Sequence, residues 1–248
     1  MAIAKREADA ARAKKAEELR GRKRGLAGVD YIIGALSLIG LALSSWMIFF
    51  YAPEDALQLD PQRIFYLHVA CAWLGMLAFI LLAIASVVCL VRKDERWDWI
   101  ARANAEVGTI FISIALITGS VWGRPIWGTW WVWDARLTAT LILWFMYVGY
   151  LMLRNYMGRT LDSMRVGAVM ALVGAVDVPI IYLSVNWWRG QHPTQQIGNT
   201  DAGLPPEALA TMFVTLIAFT LLFIFLVRQV YHLQRAQSIA QRLRAIVS

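Results

Sequence analysis

Six apolar runs constrain this chain more than any other feature. They lie at about 31–51, 64–91, 103–122, 137–153, 166–188 and 208–227. Each approaches or exceeds the ~20 residues that a helix needs to cross the hydrocarbon core of a bilayer. The expected fold class is therefore all-α, a polytopic membrane protein of six transmembrane helices. Composition agrees: 59% of the 248 residues are hydrophobic and 17% are charged, whereas soluble domains hold about 45–50% apolar residues. The fourth run is the shortest and is expected to borrow interfacial Trp or Arg at its ends. Gly and Pro inside the runs are no objection, because neighbouring helices can satisfy the freed backbone groups.

Basic residues orient the spans. The segment before the first run carries nine Lys and Arg, the second-to-third connection four, the fourth-to-fifth three and the C-terminal segment four. The other side holds only Arg63, Arg124, Arg136 and Arg189. By the positive-inside rule both termini are expected in the cytoplasm. The expected organisation is a basic cytoplasmic tail over 1–28, a membrane domain over 29–230 and a cytoplasmic tail over 231–248. The net charge of +7 then reflects a face near anionic lipid and gives no reason to expect nucleic acid. The first tail mixes both signs in a helix-favouring composition, as a solvated or lipid-surface helix would. No cleavable signal peptide is expected. Cys71 and Cys89 are 18 residues apart on one span, roughly 27 Å along a helix, too far to bridge. No CxxC or CxxCH occurs, which excludes the corresponding thiol oxidoreductases and a c-type cytochrome.

The unusual chemistry collects in the three outer connections: APEDALQLDPQRIFYLH, WGRPIWGTWWVWD and NWWRGQHPTQQIGNTDAGLPPE. Of the three histidines, His232 falls on the basic side, where a solvated or headgroup role is expected. His68 lies about one turn inside the second span and His192 a few residues past the fifth. They therefore share a depth. Neutral imidazole is a good ligand for iron, copper and zinc. A closed zinc site needs four ligands, but two imidazoles suit haem iron, whose porphyrin fills the other four positions.

Haem also accounts for tryptophan. Five of the twelve, Trp122, Trp127, Trp130, Trp131 and Trp133, fall in one connection. An interfacial belt scatters Trp over both membrane faces, whereas these, with Trp187 and Trp188, lie at the outer face. Aromatic faces pack on a flat macrocycle with large buried area. Gly123, Pro125 and Gly128 favour a shaped loop over about 122–136 rather than a continuous helix. Asp134 is expected to cap the fourth span, which is compatible with ligand contact. Arg63, Arg124, Arg136 and Arg189 are candidates for haem propionates or for support of the site; pairing with Glu54, Asp55, Asp60 or Asp134 is an equal alternative. Asp177 falls near mid-bilayer beside Pro179, where a neutral carboxyl bonded to a neighbouring helix is expected.

Three motifs now stand together: WGRPIWGTWWVWDARLT, IFYLHVACAW around His68 and DVPIIYLSVNWWRGQHP around His192. Over about residues 30–230 the chain resembles the CcmC family, the haem-handling (haem exporter C) subunit of the bacterial cytochrome c maturation system, within the WWD-domain superfamily. The resemblance implies that the WWD loop, including Asp134, binds haem b transiently and non-covalently at the periplasmic face of the inner membrane. It implies His68 and His192 as axial ligands. It implies presentation of haem to the chaperone CcmE, in an ABC-type complex with the ATP-binding subunit CcmA, the membrane subunit CcmB and the small membrane protein CcmD. The chain is expected not to be an enzyme: it has no GxxxxGK[ST], so ATPase activity is expected in a partner. Alternative readings are a membrane b-type cytochrome, which usually places its histidines deep within spans, and a haem lyase of the same superfamily, which usually has more spans and histidines.

Overall fold

A computed structural model describes residues 28–188, 190–192 and 204–247, with side chains to 241. The basic N-terminal tail, Arg189 and most of the fifth-to-sixth connection lie outside the described residues. Six helices are long and apolar enough to cross a membrane. They are α1 (Gly28–Tyr51), α2 (Ile64–Arg92), α3 (Glu95–Trp127), α4 (Ala135–Tyr156), α5 (Leu161–Trp187) and α6 (Pro206–Val247). No strand occurs among the described residues. All six expected spans are present.

Their limits differ from the hydropathy pattern where polar residues are helical. Asp94 caps α3 by accepting from the Arg96 N–H at 3.0 Å, so α3 begins eight residues before the apolar run. Its first turns carry Asp98 and Arg102, both buried. Asp98 pairs with Arg154 of α4, which is fully buried, and Arg154 also donates to Ser163 of α5 at 3.0 Å. Arg102 donates to Asn155 at 2.6 Å. This polar layer turns inward, so hydropathy gives no hint that it is part of the bundle. Thr160 caps α5 by accepting from the Ser163 N–H at 3.1 Å.

At the same end α6 runs on as one 42-residue helix, roughly 63 Å at helical rise. The C-terminal segment expected as a cytoplasmic tail is thus helical and continuous with the last span as far as Val247. Gln234 accepts from Arg159 at 2.6 Å and donates to Glu106 at 2.6 Å. Ser238 donates to Glu95 at 2.6 Å. His232, expected to be solvated, pairs with Asp30 at 3.3 Å, and Arg228 pairs with the same carboxylate at 2.5 Å.

Apolar packing joins the rest. α2 is the most buried helix and packs on α3, α5 and α6; α4 bridges α3 and α5. Phe79, Leu82, Phe111, Leu143 and Tyr147 form its centre, all nearly inaccessible. The Tyr147 hydroxyl donates to the Gly75 carbonyl at 2.7 Å, which satisfies the one polar atom that this ring brings into the core. α1 lies at the periphery against α6, fixed by Asp30 at one end and by the Ser44–Thr215 hydroxyl pair, 2.7 Å apart, near the other.

Candidate functional site

The end of the bundle opposite the polar layer carries the α1–α2, α3–α4 and α5–α6 connections. His68, on the second turn of α2, faces α3 across a strip formed by Ala115, Thr118, Gly119 and Trp122. Its Nδ1 lies 3.0 Å from the Ala115 carbonyl and 3.2 Å from the Thr118 hydroxyl. A carbonyl only accepts, so Nδ1 carries the proton and donates. In the neutral ring the lone pair is then on Nε2. This is the arrangement by which a hydrogen bond to one ring nitrogen prepares the other for a metal.

Two neighbours fix that ring. A Cβ at Gly119 would stand 3.0 Å from His68 Cε1, so a side chain at this position would compete with the imidazole. Trp122 lies 5.7 Å from His68 and 5.9 Å from Phe65, centroid to centroid. Its indole N–H donates to Gln58 at 3.0 Å. Gln58 is held by the α1–α2 connection, where Asp55 Oδ1 accepts from the Leu57 and Gln58 N–H groups at 2.9 and 2.7 Å.

Asp134 joins the second histidine to the tryptophan connection. One oxygen caps α4 by accepting from the Leu137 N–H at 2.8 Å, and the other accepts from the His192 backbone N–H at 3.2 Å. The expected cap is therefore present, and the same carboxylate also tethers the α5–α6 connection. Gly190 makes room: a Cβ there would lie 3.0 Å from Asp134 Cβ and Oδ2. Arg136 completes the clasp. Its Nε and Nη2 donate to the Ile181 and Tyr182 carbonyls at 3.3 and 3.1 Å, and its Nη1 donates to His192 Nδ1 at 3.3 Å. Guanidinium cannot accept, so neutral His192 carries its proton on Nε2, the opposite tautomer to His68. Both His192 and Arg136 lie within electrostatic reach of His68, so one site region holds both rings.

The tryptophan connection is less of a loop than expected. α3 continues through Pro125 to Trp127 and ends at Gly128, whose φ of 75° and N–H bond to the Arg124 carbonyl at 3.1 Å close the helix. Pro125 lies inside the helix; it has no N–H for the Val121 carbonyl, so it costs one i→i−4 bond without ending the helix. Trp122 and Trp127 are thus helical, and only Trp130, Trp131 and Trp133 are in the connection. Trp131 meets Trp133 edge to face at 5.7 Å, and its indole N–H is buried with no partner among the described residues. Trp130, Trp133, Trp187 and Trp188 are more than half exposed.

A crevice of about 10 Å³ lined by Asp134, Arg136, Ser184, Trp188, Gly190 and His192 has room for one water. These residues therefore offer a porphyrin-sized ligand an open surface, not a closed pocket. Of the other candidate cations, Arg63 pairs with Asp60 at 3.0 Å and donates to the Ile48 carbonyl, while Arg124 donates to the Gly128 carbonyl. Neither reaches the histidines in these contacts. Arg189 lies outside the described residues.

The profile of heme exporter protein C matches residues 24–246. The chain belongs to the heme exporter protein C family. It is 41% identical over 202 residues to heme exporter protein C of Bradyrhizobium diazoefficiens, covering 81% of this chain and 74% of that one. It is 34% identical to the Haemophilus influenzae protein of that name over 208 residues, 84% of each chain. With the Escherichia coli K12 protein of that name it shares 42% identity over 144 residues, 58% of this chain and 59% of the relative. In this heme exporter C chain, sequence reasoning missed Ala115, Thr118, Gly119, Gln58 and Gly190. Helical spacing could have found some of them: 115, 118 and 119 lie seven, four and three residues before Trp122, on one face of α3. Gln58 and Gly190 meet their partners only through tertiary packing.

Proposed function

We propose that this heme exporter C protein holds haem at its tryptophan-rich end and hands it on during cytochrome c maturation. Family membership supports the haem-handling role, and a multi-pass membrane location goes with the six long apolar helices. His68 and His192 serve as axial ligands. The observation that carries this reading is the prepared His68 ring: Nδ1–H is bonded to the Ala115 carbonyl, so the Nε2 lone pair is left for iron. Exposed Trp130 and Trp133 pack on the porphyrin, with Trp131 between them. Trp122 and Trp127 shape the surface beneath, and Trp187 and Trp188 flank it. The bound species is haem b, taken up transiently and non-covalently. The twenty-to-four bias of Lys and Arg supports cytoplasmic termini and a periplasmic site in the inner membrane.

The opposite tautomers give the two histidines different parts. His68 is ready to ligate. His192 can offer Nε2 to iron only after its proton moves to Nδ1, which requires the Arg136 Nη1 contact to break. The released Nη1 is then free to donate to a propionate, a better partner than a neutral ring, and Arg63, Arg124 and Arg189 take the supporting part. Reforming the Arg136–His192 contact withdraws the second ligand and favours transfer to CcmE. Such a cycle needs no ATP-binding site in this chain. ATP hydrolysis belongs to CcmA, working with CcmB and CcmD, and this chain acts as a binding subunit, not an enzyme.

Haem content and spectra of the purified protein test this. We expect a bis-histidine spectrum in the parent, and loss of retained haem in His68→Ala and His192→Ala. Full haem retention and transfer in both variants, and in a combined Trp130→Ala/Trp131→Ala/Trp133→Ala protein, would reject the site.

A further inference from the structure

The α1–α2 connection turns a polar residue inward and its apolar neighbours outward. Leu57 and Leu59 are 93% and 56% exposed, while Gln58 between them is half-buried. Burial of apolar area alone would favour the reverse order. The backbone at Leu59 permits it: φ is 53° and ψ −143°, a conformation that suits glycine and strains a leucine. Asp55 braces the turn. Its Oδ1 accepts from the Leu57 and Gln58 N–H groups, and its carbonyl accepts from the Leu59 N–H at 3.0 Å. Strain of this kind persists only where the surroundings over-determine it, and it gathers at functional sites.

What the strained turn delivers is the Gln58 side chain. Its Oε1 accepts from the Trp122 indole N–H at 3.0 Å. Among the described residues Trp122 is the one ring that meets His68, with centroids 5.7 Å apart and planes inclined by 60°. His68 is hydrogen-bonded among these residues only through Nδ1, so its ring can still swing about that nitrogen and carry Nε2 out of line. Gly119 presents no side chain to it, which leaves Trp122 as the side-chain wall. Phe65 packs edge-on to the same indole at 5.9 Å, but an apolar contact does not depend on where the indole nitrogen points. The bond to Gln58 does, because a hydrogen bond is directional.

We propose that Gln58 is a positioning residue for haem: it fixes the orientation of Trp122, and Trp122 holds the His68 imidazole in line for iron. The first outer connection then belongs to the haem site without touching haem. This rests on His68 being an axial ligand, and it names the residue that sets how firmly that ligand is held. An indole N–H only donates, so the residue at 58 must offer an acceptor.

The test uses the purified full-length protein loaded with haem. Three quantities are read: the bis-histidine fraction in the visible spectrum, the rate of haem release to apomyoglobin and the melting temperature. We expect Gln58→Leu to release haem about three- to tenfold faster and to lose part of the bis-histidine signal. That is the low end for outer-shell partners, because one more residue lies between Gln58 and the ligand. Gln58→Glu keeps an acceptor and should match the parent. Trp122→Phe keeps a ring without the N–H. It should behave as Gln58→Leu does, and the double variant should be no worse than either single. It also reads the same bond from the other partner if Gln58→Leu does not fold. His68→Ala separates the two readings. If it leaves the spectrum unchanged, His68 is not a ligand, and the haem-site reading falls together with this inference. If it abolishes the signal while Gln58→Leu and Trp122→Phe keep the parental spectrum and release rate, this inference alone is overturned. Additive losses in the double variant would also overturn it, as would a loss in Gln58→Glu equal to that in Gln58→Leu, or a lowered melting temperature in Gln58→Leu with spectrum and release unchanged.

Discussion

At Gly119 the absence of a side chain decides the placement of His68. Alanine puts a methyl 3.0 Å from Cε1, so Gly119→Ala should weaken haem retention and Gly119→Leu should abolish it. Thr118→Val removes a hydroxyl from the neighbourhood of Nδ1 and should lower retention by about tenfold, in the range for outer-shell partners of metal-binding histidines. Haem titration of the purified variants reads both effects. Asp134 has two separable jobs, one for each oxygen. Asp134→Ala should lose about 1 kcal/mol of α4 capping together with the tether on His192. Asp134→Ser should restore the cap but not the tether, so its melting temperature should recover while haem retention stays low. Equal recovery of both would show that the His192 tether is not needed.

Among the elements, α3 does the most to connect the two ends. Its first turns hold Asp98 in the polar layer, and its last turns carry Thr118, Gly119 and Trp122 to His68. The Asp98–Arg154 pair joins α3 to α4 in a fully buried setting. Breaking such a pair from one side costs about 3–5 kcal/mol, because a buried charge is left uncompensated. Asp98→Ala should therefore lower the melting temperature strongly. Asp98→Leu combined with Arg154→Met should recover most of the loss, since apolar replacement of both partners is often neutral or stabilising. Thermal denaturation in detergent distinguishes this from a simple packing defect, in which the double variant would be worse than the single. The same helix explains why Pro125 misleads: it removes one backbone bond, but α3 runs on to Trp127 and is closed by Gly128.

For the whole molecule, an even number of spans puts both termini on one side. Reporter fusions after residues 130 and 160 should give opposite localisation, with 130 periplasmic; equal signals would contradict the topology. The six spans were legible because burial in lipid demands long apolar runs, and no side-chain detail alters that demand. The gathering of His68, His192 and the tryptophans of the α3–α4 connection at one end of the bundle was legible from the same count. The starts of α3 and α5 and the length of α6 were not, because their polar residues pair with one another across helices that are distant in sequence. What the sequence determined alone is thus the number of helices, their order and the end at which the unusual residues gather. Only tertiary structure decided that Ala115 sets the proton on His68, that Asp134 and Arg136 clasp His192, and that Asp177 Oδ2 has no hydrogen-bond partner among the described residues. Hydrophobicity acts along the chain and can be read in one dimension; hydrogen bonds have direction and short reach, and exist only where folding brings the two atoms together.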